Sequence, residues 1–236
     1  WEEAWDEIIP KLKEVREKYG ACATAFYSGY NKWYRPFLQR MCYDYGSVNY
    51  GTESSSCFTS TIMSWRIATG ADFAAPDLRN AGIFLGWCYN GYYAQYLMAG
   101  GVEKARERGM KVIIIDPRIT PAVEKQCDLF IRVKPGTDCA LALGLARELI
   151  VNDWVDHDYI EKNVYGYEEY KAYVMDFTPE RVEELTDAPA ESVRLAAKMI
   201  HENMPLAINQ SGAALVHHIN GMQTHRAVMA LSALMG

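Results

Sequence analysis

Residues 111–143 read KVIIIDPRITPAVEKQCDLFIRVKPGTDCALAL, and this stretch decides the fold. Residues 111–115 are a β-branched run that ends at an Asp-Pro pair, and residues 128–133 are predicted to be a second strand. A Pro-Gly turn then leads into a long helix at residues 138–151, with leucine at every fourth position. Strands and helices that alternate in this way favour a parallel sheet with helices packed on it.

The same alternation extends outward from this stretch. Further strands of the same sheet are predicted near residues 21–27, 82–87 and 205–209. The other predicted helices are residues 1–19, 32–45, 58–69, 91–108, 189–201 and 217–235. Residues 46–56 are predicted to be a loop, and the tyrosine-rich residues 153–173 a connecting region. The sequence therefore predicts an α/β fold with a mostly parallel sheet and helices on both faces.

Composition sets limits on the class of protein. The chain has 236 residues, of which 50% are hydrophobic, enough for the core of one large or two small domains. The formal net charge is −6, and no run of lysine or arginine occurs. We therefore expect neither nucleic acid nor an anionic membrane as a partner. No apolar stretch reaches the roughly 18–20 residues that cross a bilayer, so no direct membrane insertion is expected.

Candidate metal ligands are few. The six cysteines show no CxxC spacing, so neither a structural zinc site nor an iron–sulfur cluster is expected within the chain. Cys57 follows a polar loop at a predicted helix start, where a thiolate is stabilised, although inert packing is the alternative. His217 and His218 are adjacent at another predicted helix start and point in different directions. One packed and one solvated histidine is the favoured interpretation of that pair.

Three corners where a predicted strand ends and a helix begins carry residues suited to a nucleotide: residues 85–90, 115–120 and 134–138. Loop amides and helix N-termini at such corners favour anions. Asp116 can accept two hydrogen bonds from a ribose diol, and Arg118 can counter the charge of a phosphate. These corners predict a nucleotide site at one edge of the sheet.

Asp138 can accept hydrogen bonds from the N1–H and amino group of a guanine, a donor pair that only guanine offers among the bases. Simpler roles remain open for the same residues. Asp138 also fits a helix N-cap, and Asp116 also fits an ordinary strand end. No GxGxxG follows the first strand, which counts against a conventional NAD site.

Taken together, DPRIT at residues 116–120 and PGTDCALAL at residues 135–143 resemble the DPRxT and PGTD-ALAL motifs of the dimethyl sulfoxide reductase family of molybdenum and tungsten enzymes. WEEA at residues 1–4, WVDHDYI at 154–160 and TPE at 178–180 are also similar to segments of that family. The resemblance covers nearly the whole chain and implies a Rossmann-like sheet.

The resemblance also implies a cofactor. Family members hold one molybdenum or tungsten between two pyranopterin guanine dinucleotides, a pair called bis-molybdopterin guanine dinucleotide. A cysteine, selenocysteine, serine or aspartate usually supplies a further metal ligand, and Cys57 lies where that catalytic ligand is expected. The residues that would line the dinucleotide are Gly86, Trp87, Cys88, Asp116, Arg118, Thr120, Gly136, Asp138, Gly212, Ala213 and His217.

The chain departs from the family pattern at two positions. Residues 86–89 read GWCY where the family commonly has Gly-x-Asn-Pro, so Cys88 stands in place of an asparagine. His217 stands where glutamine is frequent. The family's N-terminal cysteine cluster for a 4Fe–4S centre and its C-terminal barrel-like domain do not occur in this sequence.

We therefore expect an internal piece of a longer enzyme, inactive by itself, with the 4Fe–4S cluster in an N-terminal domain outside it. Residues 1–52 are predicted to be a partial α/β unit of a neighbouring domain, and residues 53–236 to be the dinucleotide-cradling domain.

The implied activity is oxygen-atom or two-electron transfer on a small-molecule substrate, with an iron–sulfur electron-transfer subunit as partner. The compartment stays open between a bacterial or archaeal cytoplasm and the exported side of the membrane. Two alternatives remain. One is a non-redox hydratase or transhydroxylase that uses the same cofactor, and the other is a metal-free nucleotide-binding module.

Overall fold

The computed structural model describes residues 1–236, which form two compact units, Trp1–Thr59 and Ser60–Gly236. The boundary between the units lies further along the chain than the predicted division after residue 52. The assignment of the first unit to a neighbouring domain stays a prediction. No helix of the structure combines the length and the apolar character that crossing a membrane requires.

The first unit is a small α/β unit. Its elements are α1 (Glu2–Tyr19), β1 (Phe26–Ser28), α2 (Arg35–Tyr45) and β2 (Tyr50–Thr52). The strands are parallel, with Phe26 opposite Tyr50. The Tyr45 hydroxyl donates a 2.6 Å hydrogen bond to the carbonyl of Leu12, and its ring meets that of Phe26 at 5.5 Å between centroids. Tyr45 therefore ties both helices to the strand pair.

Two predictions for this unit were wrong. The strand predicted near residues 21–27 does not join the main sheet, because it is β1 and pairs only with β2. It is three residues long and alternates buried, exposed and buried, whereas the central strands of a parallel sheet are buried on both faces. The predicted loop 46–56 contains β2 and a 3₁₀ turn, Glu53–Ser56. An ion pair between Arg35 and Glu53 links this turn to α2.

The main sheet lies in the second unit and has four parallel strands. They are β3 (Ile83–Trp87), β4 (Lys111–Ile115), β5 (Leu129–Ile131) and β6 (Leu206–Gln210). Their order across the sheet is β5-β4-β3-β6, so β4 is an inner strand, as predicted. From β3 the chain steps outward to β4 and β5 and then returns to the other side of β3. The order therefore reverses between β3 and β6.

Helices cover both faces of this sheet, which confirms the predicted fold class. The remaining helices are α3 (Thr59–Thr69), α4 (Gly91–Ala94), α5 (Tyr96–Glu107), α6 (Pro121–Gln126), α7 (Asp138–Val151), α8 (His157–Asn163), α9 (Tyr167–Val174), α10 (Pro179–Thr186), α11 (Ala190–Glu202) and α12 (Gly221–Met235). Leu85 and Ile113 share one core with residues of α7, α11 and α12. Phe84 and Ile114 face the opposite way and share a second core with residues of α5 and α6.

Several helix boundaries differ from the prediction. The helix predicted at residues 91–108 is interrupted at Gln95, whose φ of −142° and ψ of 56° are not helical. The predicted connecting region at 153–173 contains α8 and α9. Asp156 caps α8 by accepting a 2.8 Å hydrogen bond from the amide of Tyr159, and Gly166 precedes α9 in a left-handed conformation. These local caps define helices that hydrophobic spacing alone did not reveal.

The last helix begins at Gly221 instead of residue 217. A Cβ atom at Gly221 would lie only 2.3 Å from the carbonyl oxygen of Val216, so the chain can turn this tightly only at glycine. His217 and His218 therefore lie in the turn before α12 and not on its first helical turn.

Candidate active site at the carboxyl edge of the sheet

The four strands of the main sheet end at one edge, and the strand order reverses there between β3 and β6. Ligands of open parallel sheets bind outside the carboxyl ends of the strands, next to such a reversal. Every predicted dinucleotide residue lies at this edge or in a turn that follows it. Gly86 and Trp87 end β3, and Cys88 follows it. Asp116, Arg118 and Thr120 follow β4, Gly136 lies between β5 and α7, and Asp138 begins α7. Gly212, Ala213 and His217 follow β6.

The backbone closes the edge around Trp87. The amide of Ser211 donates a 3.1 Å hydrogen bond to the carbonyl of Trp87, and the amide of Cys88 donates a 2.7 Å hydrogen bond to the carbonyl of Ile115. Cys88 has a φ of 51°, in the left-handed region that asparagine and glycine tolerate best. The turn after β3 is therefore fixed from both neighbouring strands.

Asp138 is a buried carboxylate at the start of α7, with 3% of its surface exposed. Its Oδ1 accepts a 2.8 Å hydrogen bond from the Trp87 indole and lies 4.0 Å from the Cys88 sulfur. Burial raises the pKa of Asp138, while the bond from Trp87 opposes that shift. Thr137 occupies the N-cap position of α7, so Asp138 is not the N-cap residue of this helix.

Asp116 is also 3% exposed and holds the turn after β4. Its Oδ1 accepts a 2.8 Å hydrogen bond from the amide of Arg118, the pattern of an Asx turn, so it does end the strand. The Arg118 guanidinium lies 3.9 Å from the same oxygen and keeps 70% of its side chain exposed. Burial raises the pKa of Asp116, and Arg118 partly offsets that effect. Arg118 thus presents an accessible positive charge beside a buried carboxylate.

A cleft of about 250 Å³ opens beside these turns. It is lined by Asn90, Tyr93, Arg118, Ile119, Thr120 and Pro121. The side-chain oxygens Oδ1 of Asn90 and Oγ1 of Thr120 are buried, and neither has a hydrogen-bond partner within the protein. An unsatisfied buried polar atom typically costs about 1–3 kcal/mol. The cleft therefore combines a cation with two unsatisfied polar groups.

Two glycines at this edge have different roles. A Cβ at Gly86 would lie 2.9 Å from the Cβ of Tyr89, so glycine is needed there for packing inside the protein. Gly136 has a φ of 84° and open space around its Cα, so it serves the turn before α7.

His218 is a residue of this site that sequence reasoning did not select. It is half-buried, its Nδ1 accepts a 3.3 Å hydrogen bond from the amide of Asn220, and its Nε2 is buried without a partner. The interaction with His218 is one of those that lower the pKa of Asp138, whereas the predicted His217 is exposed. The only available sequence signal was the adjacent histidine pair after β6.

Cys57 lies in the first unit, directly after the 3₁₀ turn and two residues before α3. It is half-buried, and its amide donates a 3.3 Å hydrogen bond to the carbonyl of Ser54. The Thr59 hydroxyl donates a 2.6 Å bond to the same carbonyl. No group of three or more histidine, cysteine, aspartate or glutamate side chains is arranged to hold a metal ion.

The second unit is a Rossmann-like α/β domain, and the cleft at its strand ends is lined by an accessible cation and two unpartnered polar side chains. The chain belongs to the molybdopterin oxidoreductase family, whose model matches residues 1–236.

Three curated relatives illustrate the family. The chain is 28% identical to dimethyl sulfoxide reductase DmsA of Escherichia coli, with 100% of this chain and 33% of the relative covered. It is 25% identical to formate dehydrogenase H of the same organism, with 100% and 34% covered. Acetylene hydratase of Syntrophotalea acetylenica is 29% identical, with 88% and 29% covered. The chain thus spans about a third of the length of these relatives.

Among solved structures, acetylene hydratase from Pelobacter acetylenicus superposes with a TM-score of 0.81 at 26% identity. The match covers 99% of this chain and 32% of the other. The family implies a molybdopterin cofactor with molybdenum or tungsten. The accessible charge of Arg118 and the unpartnered oxygens of Asn90 and Thr120 fit the phosphate and hydroxyl groups of such a cofactor.

Proposed function

We propose that this chain binds the guanine dinucleotide form of the molybdopterin cofactor at the carboxyl edge of its main sheet, and that Cys57 is a ligand of the molybdenum or tungsten. The whole enzyme would carry out oxygen-atom or two-electron transfer. The observation that carries the proposal is the buried carboxylate of Asp138. Its burial opposes ionisation, so the carboxylate is better explained by a ligand than by a role in folding.

Each residue at the edge has a chemical role in this proposal. The bond from Trp87 orients the Asp138 carboxylate, whose remaining lone pairs can accept from the N1–H and amino group of guanine. Cys88 and His218, which lie near the carboxylate, would have to move aside to admit the base. Asp116 would accept hydrogen bonds from ribose hydroxyls, and Arg118 would neutralise a phosphate.

When bound, the metal centre would supply the redox or Lewis-acid chemistry, and the protein would orient it. Cys57 would contribute a thiolate, a ligand type that donates electrons strongly and influences the metal's potential. A metal-edge X-ray absorption spectrum of the native protein tests this assignment. We expect Cys57→Ala to lose one sulfur neighbour of the metal.

Cys22→Ala is the matched control, because Cys22 is an exposed cysteine of the same unit. An unchanged sulfur count in Cys57→Ala, with the metal retained, would rule out Cys57 as the ligand.

The second candidate is a non-redox hydration that uses the same cofactor. The similarity to acetylene hydratase favours it, since the solved structure of that enzyme superposes over nearly the whole chain. Electron transfer to artificial dyes separates the two activities. A protein loaded with metal that hydrates a substrate and passes no electrons would support the hydratase. A protein that binds a guanine nucleotide but no metal would support the remaining alternative, a metal-free nucleotide-binding module.

A further inference from the structure

Asn90 is a polar residue whose side chain does not form the hydrogen bond expected at its place in the chain. It is the N-cap residue of α4, yet its side chain makes no capping hydrogen bond. An asparagine at an N-cap normally accepts a bond from one of the next backbone amides. Here the Oδ1 atom is buried and has no partner within the protein, which is rare for a buried polar atom. The side chain therefore contributes no visible bond to the fold.

The residues on either side of Asn90 hold it in place. Tyr89 is fully buried, and its ring packs edge-on against Phe84 at 5.2 Å between centroids. A Cβ at Gly91 would lie 2.1 Å from the Tyr89 hydroxyl oxygen, so the chain passes directly over the ring. This packing fixes the backbone of Asn90 at the rim of the 250 Å³ cleft.

Across the same cleft lie groups that suit one class of ligand. Arg118 keeps 70% of its side chain exposed and offers a positive charge. Thr120 is 4% exposed, and its hydroxyl, like the Asn90 amide oxygen, has no partner in the protein. A cation beside an amide and a hydroxyl matches a sugar phosphate, which carries an anion and neighbouring hydroxyl groups.

We propose that Asn90 is a nucleotide-binding residue that accepts a hydrogen bond from a sugar hydroxyl while Arg118 neutralises the adjoining phosphate. The inference rests on the proposed function, because the nucleotide is taken to be part of the molybdopterin cofactor.

The test measures guanosine monophosphate released by acid from the purified native protein. We expect Asn90→Ala to lower the retained nucleotide severalfold. In cofactor-free protein, we expect it to weaken binding of guanosine monophosphate by about tenfold, and binding of guanosine, which lacks the phosphate, by a similar factor. Because the side chain makes no bond within the protein, the melting temperature of the cofactor-free protein should not fall.

Asn80→Ala is the matched control, since Asn80 lies before β3 at the opposite edge of the sheet. Wild-type nucleotide retention and affinity in Asn90→Ala would overturn the inference. So would a loss of nucleotide accompanied by a clear fall in melting temperature, because the side chain would then support the fold. If Asp138→Ala loses the nucleotide while Asn90→Ala keeps it, the proposed function stands and the role of Asn90 fails. If neither wild type nor any variant holds a nucleotide, both fail together.

Discussion

The indole nitrogen of Trp87 donates a 2.8 Å hydrogen bond to Oδ1 of Asp138 across a sequence separation of 51 residues. Trp87 is the last residue of β3, and Asp138 is the first residue of α7. Both are nearly inaccessible to solvent. This one bond links the central strand to the helix that follows β5, and it orients the carboxylate to which we assign guanine binding.

Replacing Trp87 with phenylalanine removes the donor and keeps most of the ring. We expect a loss of about 1.5–3 kcal/mol in the free energy of unfolding at pH 7, because the bond is made to a charged group and leaves a buried carboxylate poorly paired. Urea denaturation measures the change. Trp33→Phe is the control, since Trp33 is 88% exposed and should change stability little. A Trp87 variant as stable as this control would show that the bond contributes nothing.

The substitution Asp138→Asn should change the stability of the fold and the binding of nucleotide in opposite directions. The amide can still accept from Trp87, but it carries no charge that burial penalises. We expect the variant to be more stable than wild type at pH 7 and to retain less guanine nucleotide. Chemical denaturation and nucleotide release on the same preparations give both quantities. A variant that is less stable than wild type at pH 7 would argue against a penalty for burying the charge.

The pH dependence of the same substitution follows from the direction of the pKa shift. Burial raises the pKa of Asp138 above its ordinary 3.8, so the folded state binds the proton more tightly than the unfolded state. The stability of wild type therefore falls as pH rises from 3.8 through the raised folded pKa, and levels off above it. The advantage of Asp138→Asn should accordingly be smaller at pH 4 than at pH 7. An advantage that does not depend on pH would exclude this cause.

The burial of His225 predicts a dependence of stability on pH with the opposite sign. It is 1% exposed, neither ring nitrogen has a partner, and burial lowers its pKa from 6.5 to about 4. The unfolded state then binds the proton more tightly, so stability is lost as pH falls from 6.5 towards 4. A pKa shift of this size corresponds to a loss of about 3 kcal/mol in the free energy of unfolding.

His225→Gln should remove most of that loss, because glutamine does not titrate. Urea denaturation between pH 4 and pH 7 compares the two proteins. The control is His157→Gln on the exposed start of α8. Parallel stability curves for wild type and His225→Gln would contradict the prediction.

Cys88→Asn tests the left-handed turn after β3. Cysteine pays a steric cost at its φ of 51°, and asparagine tolerates this region better. We expect a gain of about 0.5–1 kcal/mol in the free energy of unfolding. Cys88→Ala is the matched control, because alanine relieves no backbone strain and should show no gain. If alanine and asparagine stabilise equally, the thiol and not the backbone is the source of the effect.

The sheet around β4 and α7 could be predicted because its signals are local. The β-branched run, the Asp-Pro strand end and the leucine repeat each lie within a few residues. β1 was misplaced because strand partners are set by distant packing, which a three-residue strand does not encode in its own pattern. The helix α6 was missed because its six residues are too few to show a periodicity.

The residues of the candidate site also divide into those that a local motif predicts and those that depend on distant packing. Asp116, Arg118 and Asp138 lie in motifs of recognisable spacing, so the sequence could nominate them. Asn90 and His218 matter through unsatisfied atoms, Oδ1 and Nε2, which appear only when surrounding elements have excluded water. Whether a buried atom finds a hydrogen-bond partner depends on elements that are distant in the sequence, and the order of the residues alone does not show this.

The central claim is that this chain holds a molybdopterin guanine dinucleotide cofactor whose metal is bound by Cys57. Elemental analysis combined with nucleotide release on the purified native protein tests it most directly. We predict about one molybdenum or tungsten ion for each chain and about two guanine nucleotides for each metal ion, with both values reduced in Asp138→Ala. A native protein that contains neither metal nor guanine nucleotide when purified from cells able to make the cofactor would contradict the account.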